Sequence, residues 1–308
     1  MADETFVTIQ PPLKAVDNGD GTFSVSILDV NSAALLAALL AVRDVSTLDT
    51  VEAAIVAKRS TEWLIEVQKG NIPGHRIKHK FGRNDAVPNG TWAFIDQLGL
   101  TAWPLSAATT VRIKAGGNVA DVAGGAGATE ITIQGLDDSF NEVEEAIATN
   151  GSSASLATTI SFWRVHRAWV SGVGTYGAAN TANIDIENSG GGTDLIRIAA
   201  DEGQTQYGGY TIPVNKTGYL LTTTITVDAA KPADVRMYQR KNIDDVAAPM
   251  SSKRLKTYFD GLMGVFTFAP HSPQGAMAAK TDIWFEARGS GGAGTEVSVD
   301  FEILLVDD

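Results

Sequence analysis

The stretch from residue 296 to residue 306 reads Glu296-Val297-Ser298-Val299-Asp300-Phe301-Glu302-Ile303-Leu304-Leu305-Val306. Every second position in it is apolar, and polar side chains occupy most of the positions between. Successive side chains of a strand point to opposite faces of a sheet. The alternation therefore predicts a strand that buries one face and exposes the other.

The same two-residue period recurs through most of the chain after Glu62. Glycine-rich turns such as Gly124-Gly125-Ala126-Gly127 and Gly190-Gly191-Gly192 separate the alternating runs, and the one helical signal is a turn near 255–259. This pattern predicts a mainly β fold, an antiparallel β-sandwich or jelly-roll-like region. The predicted strands cover residues 111–114, 129–134, 160–170, 183–187, 195–199, 219–227, 233–239, 265–268, 282–287 and 296–306.

The composition agrees with this fold class. The 308 residues are 44% hydrophobic, with 31 glycines and only 7% aromatic residues, which suits short strands and tight turns. The absence of cysteine excludes disulfides and thiolate metal sites. The N-terminal residues do not have the basic start and apolar run of a secretory leader, and no run of about 20 apolar residues occurs, so we expect synthesis in the cytosol and no membrane span.

The first 70 residues have a different pattern. A turn at residues 17–21 leads into the alternating run 22–27, which predicts a hairpin. Two short helices follow, from Asn31 and from Ser46 or Thr47, the second ending near Lys58-Arg59. Helices this short have little core of their own, so we expect them to mediate attachment or oligomerisation. The residues predicted to do so are Leu35, Leu36, Leu39, Leu40, Leu48, Val51 and Ile55.

These patterns suggest three parts. Residues 1–70 form an N-terminal arm with short helices, residues 71–200 a β domain, and residues 201–308 a C-terminal β-sandwich domain. The second boundary lies at 201–209, where glycines and polar residues interrupt the strand pattern.

The charge balance argues against nucleic acid as a partner. The chain has 24 basic and 36 acidic residues, a formal net charge of -12. One basic cluster stands out within residues 75–83 and is either a solvated or interface-facing strand edge or a patch that binds an acidic partner. The patch would consist of Arg76, Lys78, Lys80 and Arg83.

Three patterns resemble ligand or metal sites. Residues 172–177 contain G-x-G-x-x-G after a strand, but no helix follows to complete a phosphate site, so we expect a glycine-rich hairpin. His75 and His79 are four residues apart, yet Gly74 and the neighbouring cations argue against a helix and a bound metal. His166 is predicted to be a partly exposed strand histidine. We expect no metal and no cofactor.

A cluster of carboxylates at 137–145 raises the alternative of a glycan hydrolase. The same run also predicts a hairpin with an acidic turn at Asp137-Asp138, and at least two of Glu142, Glu144 and Glu145 in water. G-x-S-x-G, H-E-x-x-H and P-loop motifs are absent from the sequence. We therefore expect a protein without enzymatic activity.

The first alternative, ahead of the hydrolase, is a receptor-binding or glycan-binding protein. Such a protein would expose aromatic side chains on its loops. The competing interpretation of each aromatic is core or interface packing, which we prefer for Trp103. The candidates are Trp92, Trp103, Tyr176, Tyr207 and Tyr210.

Several segments of the sequence resemble bacteriophage virion structural proteins of the marine-phage type. The resemblance covers about residues 70 to 308. It lies in the succession of strand and turn segments more than in any single motif. The segments that carry it are 80–84 (Lys-Phe-Gly-Arg-Asn), 103–110, 132–137, 162–168, 210–220, 280–283, 297–301 and 303–307.

This resemblance implies a β-rich, oligomeric protein of the virus particle: a capsid decoration protein, a head fibre or a tail-associated component. It implies no catalytic residue. The expected partners are further copies of the chain, most simply in a homotrimer, the major capsid or tail and portal proteins, and in one alternative a host surface glycan. The expected location is the virion.

Overall fold

The computed structural model describes residues 6–9, 13–17, 23–27, 60–99, 102–269, 275–291 and 294–308. The seven residues predicted to mediate attachment, Leu35 through Ile55, lie outside the described residues. The chain divides into two compact units, Met1–Ile77 and Lys78–Asp308.

The first unit contains a small antiparallel sheet and one described helix. Strands β1 (Phe6–Ile9), β2 (Leu13–Asp17) and β3 (Phe23–Ile27) pair in sequence order. Asp17 pairs with Phe23, which confirms the hairpin predicted across residues 17–27. Helix α1 spans Ser60–Gln68, although the sequence pattern ended the helical region near Arg59. The predicted end of the helical region was wrong. Polar residues interrupt the apolar repeat in the sequence of α1, but the helix still buries Val67.

The second unit is built of strands. Its sheets are antiparallel. Its first strand, β4, begins at His75, which is still in the first unit, and ends at Val87 in the second. The strands are β4 (His75–Val87), β5 (Ala93–Phe94), β6 (Thr109–Ile113), β7 (Ala128–Leu136), β8 (Glu142–Ala148), β9 (Ser161–Phe162), β10 (Arg164–Val173), β11 (Ile184–Asn188), β12 (Asp194–Ile198), β13 (Gly209–Thr211), β14 (Lys216–Val227), β15 (Ala233–Arg240), β16 (Arg254–Leu262), β17 (Gly264–Phe268), β18 (Asp282–Gly289) and β19 (Thr295–Asp307).

Four sheets organise these strands. Sheet I has the order β10-β7-β8, and sheet II the order β12-β11-β6-β9. Sheet III has the order β13-β18-β15-β16, with β5 also paired to β18, and sheet IV the order β17-β14-β19-β4. The mainly β, antiparallel prediction is confirmed, and each strand predicted from alternation coincides with a strand of the structure.

The stretch 296–306 forms most of β19 and shows why alternation is informative. The side chains of Val297, Val299, Phe301 and Ile303 are at most 1% exposed, whereas those of Glu296 and Asp300 face solvent. β19 pairs along its length with β14. The buried row of β19 therefore forms the inner face of sheet IV.

Two large hydrophobic cores, and a small cluster of Leu136, Phe140 and Ile243, lie in the described part of the second unit. The first lies between sheets III and IV, and includes Phe285 packed on Phe301 with ring centroids 5.1 Å apart. The second is formed mainly by sheets I and II. Val87 and Ile95 contribute to the first core, and Tyr207 and Trp284 to the second. The domain boundary at 201–209 stays a prediction, although β4 and β5 pair with strands that follow it.

Residues 255–259 are a strand and not the predicted helical turn. The four-residue spacing of Leu255 and Phe259 resembled a helix face, but β16 pairs with β15. Val235 stands opposite Phe259, whose ring packs against the first core. Sheet pairing thus overrides the local spacing.

Candidate assembly surface

The segment 254–268, named here the edge segment, comprises β16, Met263 and β17. β16 is the last strand of sheet III and β17 the last strand of sheet IV. The segment therefore closes one side of the first core and leaves two strand edges unpaired within the described part of the chain. Edge strands are natural sites for contact with another chain.

The outer side of the edge segment is unusually apolar. Leu255 is 51% exposed, Met263 56% and Val265 70%, and Tyr258 is also exposed. Large apolar side chains exposed on one segment of a soluble protein commonly mark an interaction site. The inner side is anchored, because the ring of Phe259 lies 5.2 Å from that of Phe266 and 5.9 Å from that of Phe268.

The β16 strand is held firmly at its C-terminal part. The Tyr258 hydroxyl donates to Asp234 Oδ2 over 3.3 Å, and the Gly261 N–H donates to Asp234 Oδ1 over 2.9 Å. Arg288 Nε donates to the same carboxylate over 2.8 Å. Burial acts to raise the pKa of Asp234, but the hydrogen bonds from Gly261 and Arg288 outweigh it and lower the pKa. The carboxylate stays ionised and fixes the strand.

Two cations project from β16. Arg254 and Lys256 are exposed, and neither forms an ion pair with any of the residues that the structure describes. The register of β16 on β15 shifts on either side of Thr257, so the outer edge is irregular. Bulges of this kind hinder regular strand addition. Contact at this edge would therefore use side chains more than backbone hydrogen bonds.

The basic cluster of residues 76–83 is divided between the two faces of β4. Lys80 is 8% exposed, and Lys78 Nζ lies 2.7 Å from Glu142 Oε1. Arg83 faces the other way and bonds Asp85, Glu202 and Glu296. Arg76 is exposed and has a partner. Lys78, Lys80 and Arg83 do not form one continuous cationic surface, and the role of the four residues in partner binding stays a prediction.

Lys80 belongs to an interior polar network. Its Nζ donates to the carbonyl oxygen of His166 over 2.5 Å, and Thr211 N–H donates to His166 Nε2 over 3.2 Å. Burial, assisted by the charges of Arg167 and Lys78, lowers the pKa of Lys80 to about 7. Burial also lowers the pKa of His166, which is 3% exposed. The prediction of a partly exposed histidine was wrong.

We expect the free energy of unfolding to rise with pH above neutrality because of Lys80. Between about pH 7 and 10.5 the unfolded chain keeps the Lys80 proton that the folded chain has released, so rising pH favours the folded state. From pH 7 to pH 9 this amounts to about 2 kcal/mol. Urea unfolding of the wild type and of Lys80→Met at both pH values measures it. If the free energies of unfolding of the two proteins differed by the same amount at pH 7 and at pH 9, the lowered pKa of Lys80 would be contradicted.

The carboxylate run is a hairpin, as predicted. β7 and β8 pair from Leu136 opposite Glu142, and an acidic turn joins them. Only Glu144 of the three glutamates is largely exposed. Glu145 accepts hydrogen bonds from the backbone N–H groups of Thr159 and Ile160. The expectation of two solvated glutamates was wrong, because Glu145 fixes a loop and Glu142 pairs with Lys78.

The candidate aromatics have different environments. Tyr207 and Tyr210 are 3% and 2% exposed, which excludes them as loop platforms, whereas Tyr176 is fully exposed. Trp92 is half-buried, and the guanidinium carbons of Arg236 and Arg288 lie 3.8 and 4.8 Å from its ring centroid. Trp103 packs against the second core, as preferred.

The remaining motifs are not assembled into sites. The glycines of 172–177 end β10, and the chain continues into β11 of a different sheet, so the predicted hairpin is wrong. His75 bonds the Pro73 carbonyl, and His79 Nε2 lies 2.8 Å from Asp300. The described residues include no group of three metal-binding side chains, and none of their helices could cross a membrane.

Sequence reasoning missed two features. One is the edge segment, whose exposed Leu255 and Val265 look like ordinary strand residues in the sequence. The other is a buried ion pair between Arg164 and Asp282, 118 residues apart and both at most 2% exposed. No local signal in the sequence identifies Asp282 as the partner of Arg164.

Comparison with known proteins gives little similarity. No protein-family model matches the chain, and no curated protein matches it significantly. The solved structures that resemble it include the infectious bursal disease virus Gx strain, with 12% identity over 75% of each chain and a TM-score of 0.21. The VP2 subviral particle of the same virus has 10% identity over 76% of this chain and 72% of that one, with a TM-score of 0.22. At these TM-scores the resemblance assigns neither a fold nor a function.

Proposed function

We propose that this chain is a non-enzymatic structural protein of a virus particle, which assembles with copies of itself through the edge segment. The placement in a bacteriophage virion, as a decoration, head-fibre or tail-associated protein, follows the sequence resemblance. The homotrimer, the jelly-roll topology and attachment through residues 1–70 belong to the same proposal.

The observation that carries self-assembly is the exposed apolar surface at 254–268. Leaving Leu255, Met263 and Val265 in water loses roughly 25 cal/mol for each Å² of apolar area that a partner could cover. Phe259 and Leu262 of the same segment pack against the first core. A rigid apolar patch of this kind suits a persistent subunit contact.

Charge favours a second copy as the occupant. The chain has a formal net charge of -12, so the surface of another copy is predominantly acidic. Arg254 and Lys256 on β16 would meet that acidic surface, which gives complementarity across the contact. A contact between two different surface patches of the same protein closes into a ring when its rotation permits. This geometry is compatible with a trimer.

Replacement of Met263 and Val265 by glutamate should disrupt the assembly. Both side chains are exposed, so folding is retained, while two new carboxylates would repel the acidic partner and desolvate on contact. We expect the dissociation constant to rise at least about a hundredfold, since each buried charge costs at least ~1.4 kcal/mol. Sedimentation velocity of the full chain at several concentrations measures this change.

The matched control is the variant Val119→Glu with Leu156→Glu. These residues are 76% and 89% exposed and lie outside the edge segment, and we expect their replacement to leave the oligomer unchanged. A wild-type chain that is monomeric at micromolar concentration would refute self-assembly, as would equal effects of the two double variants. Absence of the chain from purified particles of the virus that encodes it would refute the virion role.

A further inference from the structure

A cavity of about 340 Å³ lies on the side of sheet III that faces away from the first core. Its wall on β18 consists of Asp282, Trp284 and Glu286, which alternate with the core residues Ile283 and Phe285. The cavity size is at the lower end of the range for small-molecule sites. Its other lining residues are Ala102, Trp103, Arg240, Met250, Ser251 and Lys253.

Both carboxylates of this wall are already neutralised. Asp282 accepts from Arg164 Nε and Nη2, over 3.1 and 3.0 Å, and from the Thr211 hydroxyl over 2.6 Å. Glu286 Oε2 accepts from Arg236 Nε and Nη2, over 2.9 and 2.6 Å, and its Oε1 accepts from the Trp284 indole over 2.9 Å. Neither carboxylate has a free charge to offer a cationic ligand.

Two cations at the cavity are less well compensated. Arg240 Nη2 donates to the carbonyl oxygen of Asp245 over 3.3 Å, and this guanidinium forms no ion pair among the described residues. Lys253 Nζ is 3.6 Å from Glu286 Oε1, which Trp284 already occupies, and its side chain is 51% exposed. The Asp245 carboxylate accepts from the Ser251 N–H. Arg240 and Lys253 are therefore the two cations of the cavity lining, and both carboxylates of the lining are already bound by other arginines.

Indole rings form the apolar part of the cavity. Trp284 is stacked on Tyr238 with ring centroids 5.5 Å apart, which keeps its plane fixed. Trp103 has φ at 58°, a conformation that a bulky side chain rarely adopts. Its ring lies 5.2 Å from the Arg164 guanidinium carbon. Backbone strain of this kind is concentrated at functional sites.

We propose that this cavity binds a carboxylated sugar residue. The partly exposed Trp103 indole would contact the C–H face of the ring, while Arg240 and Lys253 would bind its carboxylate through charge-assisted hydrogen bonds. The inference is independent of the proposed assembly, since no residue of the edge segment lines the cavity.

Calorimetric titration of the full chain with methyl glucuronoside, methyl glucoside and acetate tests the proposal. We expect the glucuronoside to bind at least about tenfold more tightly than either of the other two, because only it has both the ring and the carboxylate. If the glucoside bound as tightly as the glucuronoside, the cavity would not recognise the carboxylate. If acetate bound as tightly, the cavity would not recognise the sugar ring. Either result, or no detectable glucuronoside binding, would overturn the proposal.

Arg240→Gln and Lys253→Gln should each weaken glucuronoside binding about tenfold, and thermal melts verify folding. Lys253 is half exposed, so its replacement tests the site even if the Arg240 variant fails to fold. The control is Lys241→Gln, which removes the same charge from an exposed neighbour of Arg240 that does not line the cavity. Equal binding by Lys253→Gln and Lys241→Gln would also refute the site.

Discussion

We expect Asp282→Asn to lower the free energy of unfolding by about 3–5 kcal/mol, the usual cost of leaving one member of a buried ion pair without its partner. Arg164 and Asp282 are 2% and 1% exposed, and two hydrogen bonds join them. Arg164 lies on β10 of sheet I and Asp282 on β18 of sheet III, so the pair connects the two sheets. Asparagine keeps the shape but leaves the guanidinium charge buried. Urea denaturation followed by tryptophan fluorescence measures the loss.

Asp244→Asn is the matched control for this experiment. Asp244 pairs with Lys280 over 2.7 Å, with side chains 39% and 33% exposed. Solvent screens such a pair, and we expect its loss to cost less than about 1 kcal/mol. Similar losses in the two variants would contradict the structural role assigned to the Arg164–Asp282 pair.

We expect Gly135→Ala to destabilise the protein by about 3 kcal/mol, at the upper end of the usual cost of overpacking. Gly135 lies in β7, between Val143 of β8 and Val165 of β10. A Cβ at this position would overlap the carbonyl oxygen of Arg164 and stand 2.9 Å from Phe162 Cδ1. The strands would have to separate, because a backbone atom cannot rotate away. Urea denaturation monitors the effect.

Gly190→Ala provides the comparison. Its Cβ would approach nothing closer than Asn188 Nδ2, at 3.6 Å, so we expect a change within about 0.5 kcal/mol. A small change at Gly135 would mean that β7 and β10 do not pack as closely as the structure has them.

The sequence predicted strands well where one face of the strand is buried and the other is exposed to solvent. In β19 the buried row and the solvated row alternate, so hydrophobicity alone locates the strand. The β7–β8 hairpin was found from the acidic turn between two alternating runs. Both signals are local, since they depend on residues close together in the chain.

The same reasoning failed where the deciding contact is distant. The spacing of Leu255 and Phe259 favours a helix, and only pairing with β15 makes a strand of them. Lys80 looked like a member of a surface patch, yet it reaches the His166 carbonyl, 86 residues away. Glu145 looked solvated, but it binds the backbone of Thr159 and Ile160.

By itself, the sequence determined the mainly β class, the location of most strands, the acidic net charge and the absence of disulfides. These follow from period, composition and turn residues, which each segment carries alone. Only the tertiary structure decided that Arg164 meets Asp282, that Leu255 and Val265 lie on a free edge, and that Trp103, Arg240 and Lys253 surround one cavity. The physical reason is that strand order and sheet packing bring these residues together from distant segments, and local periodicity contains no information about which strands become neighbours.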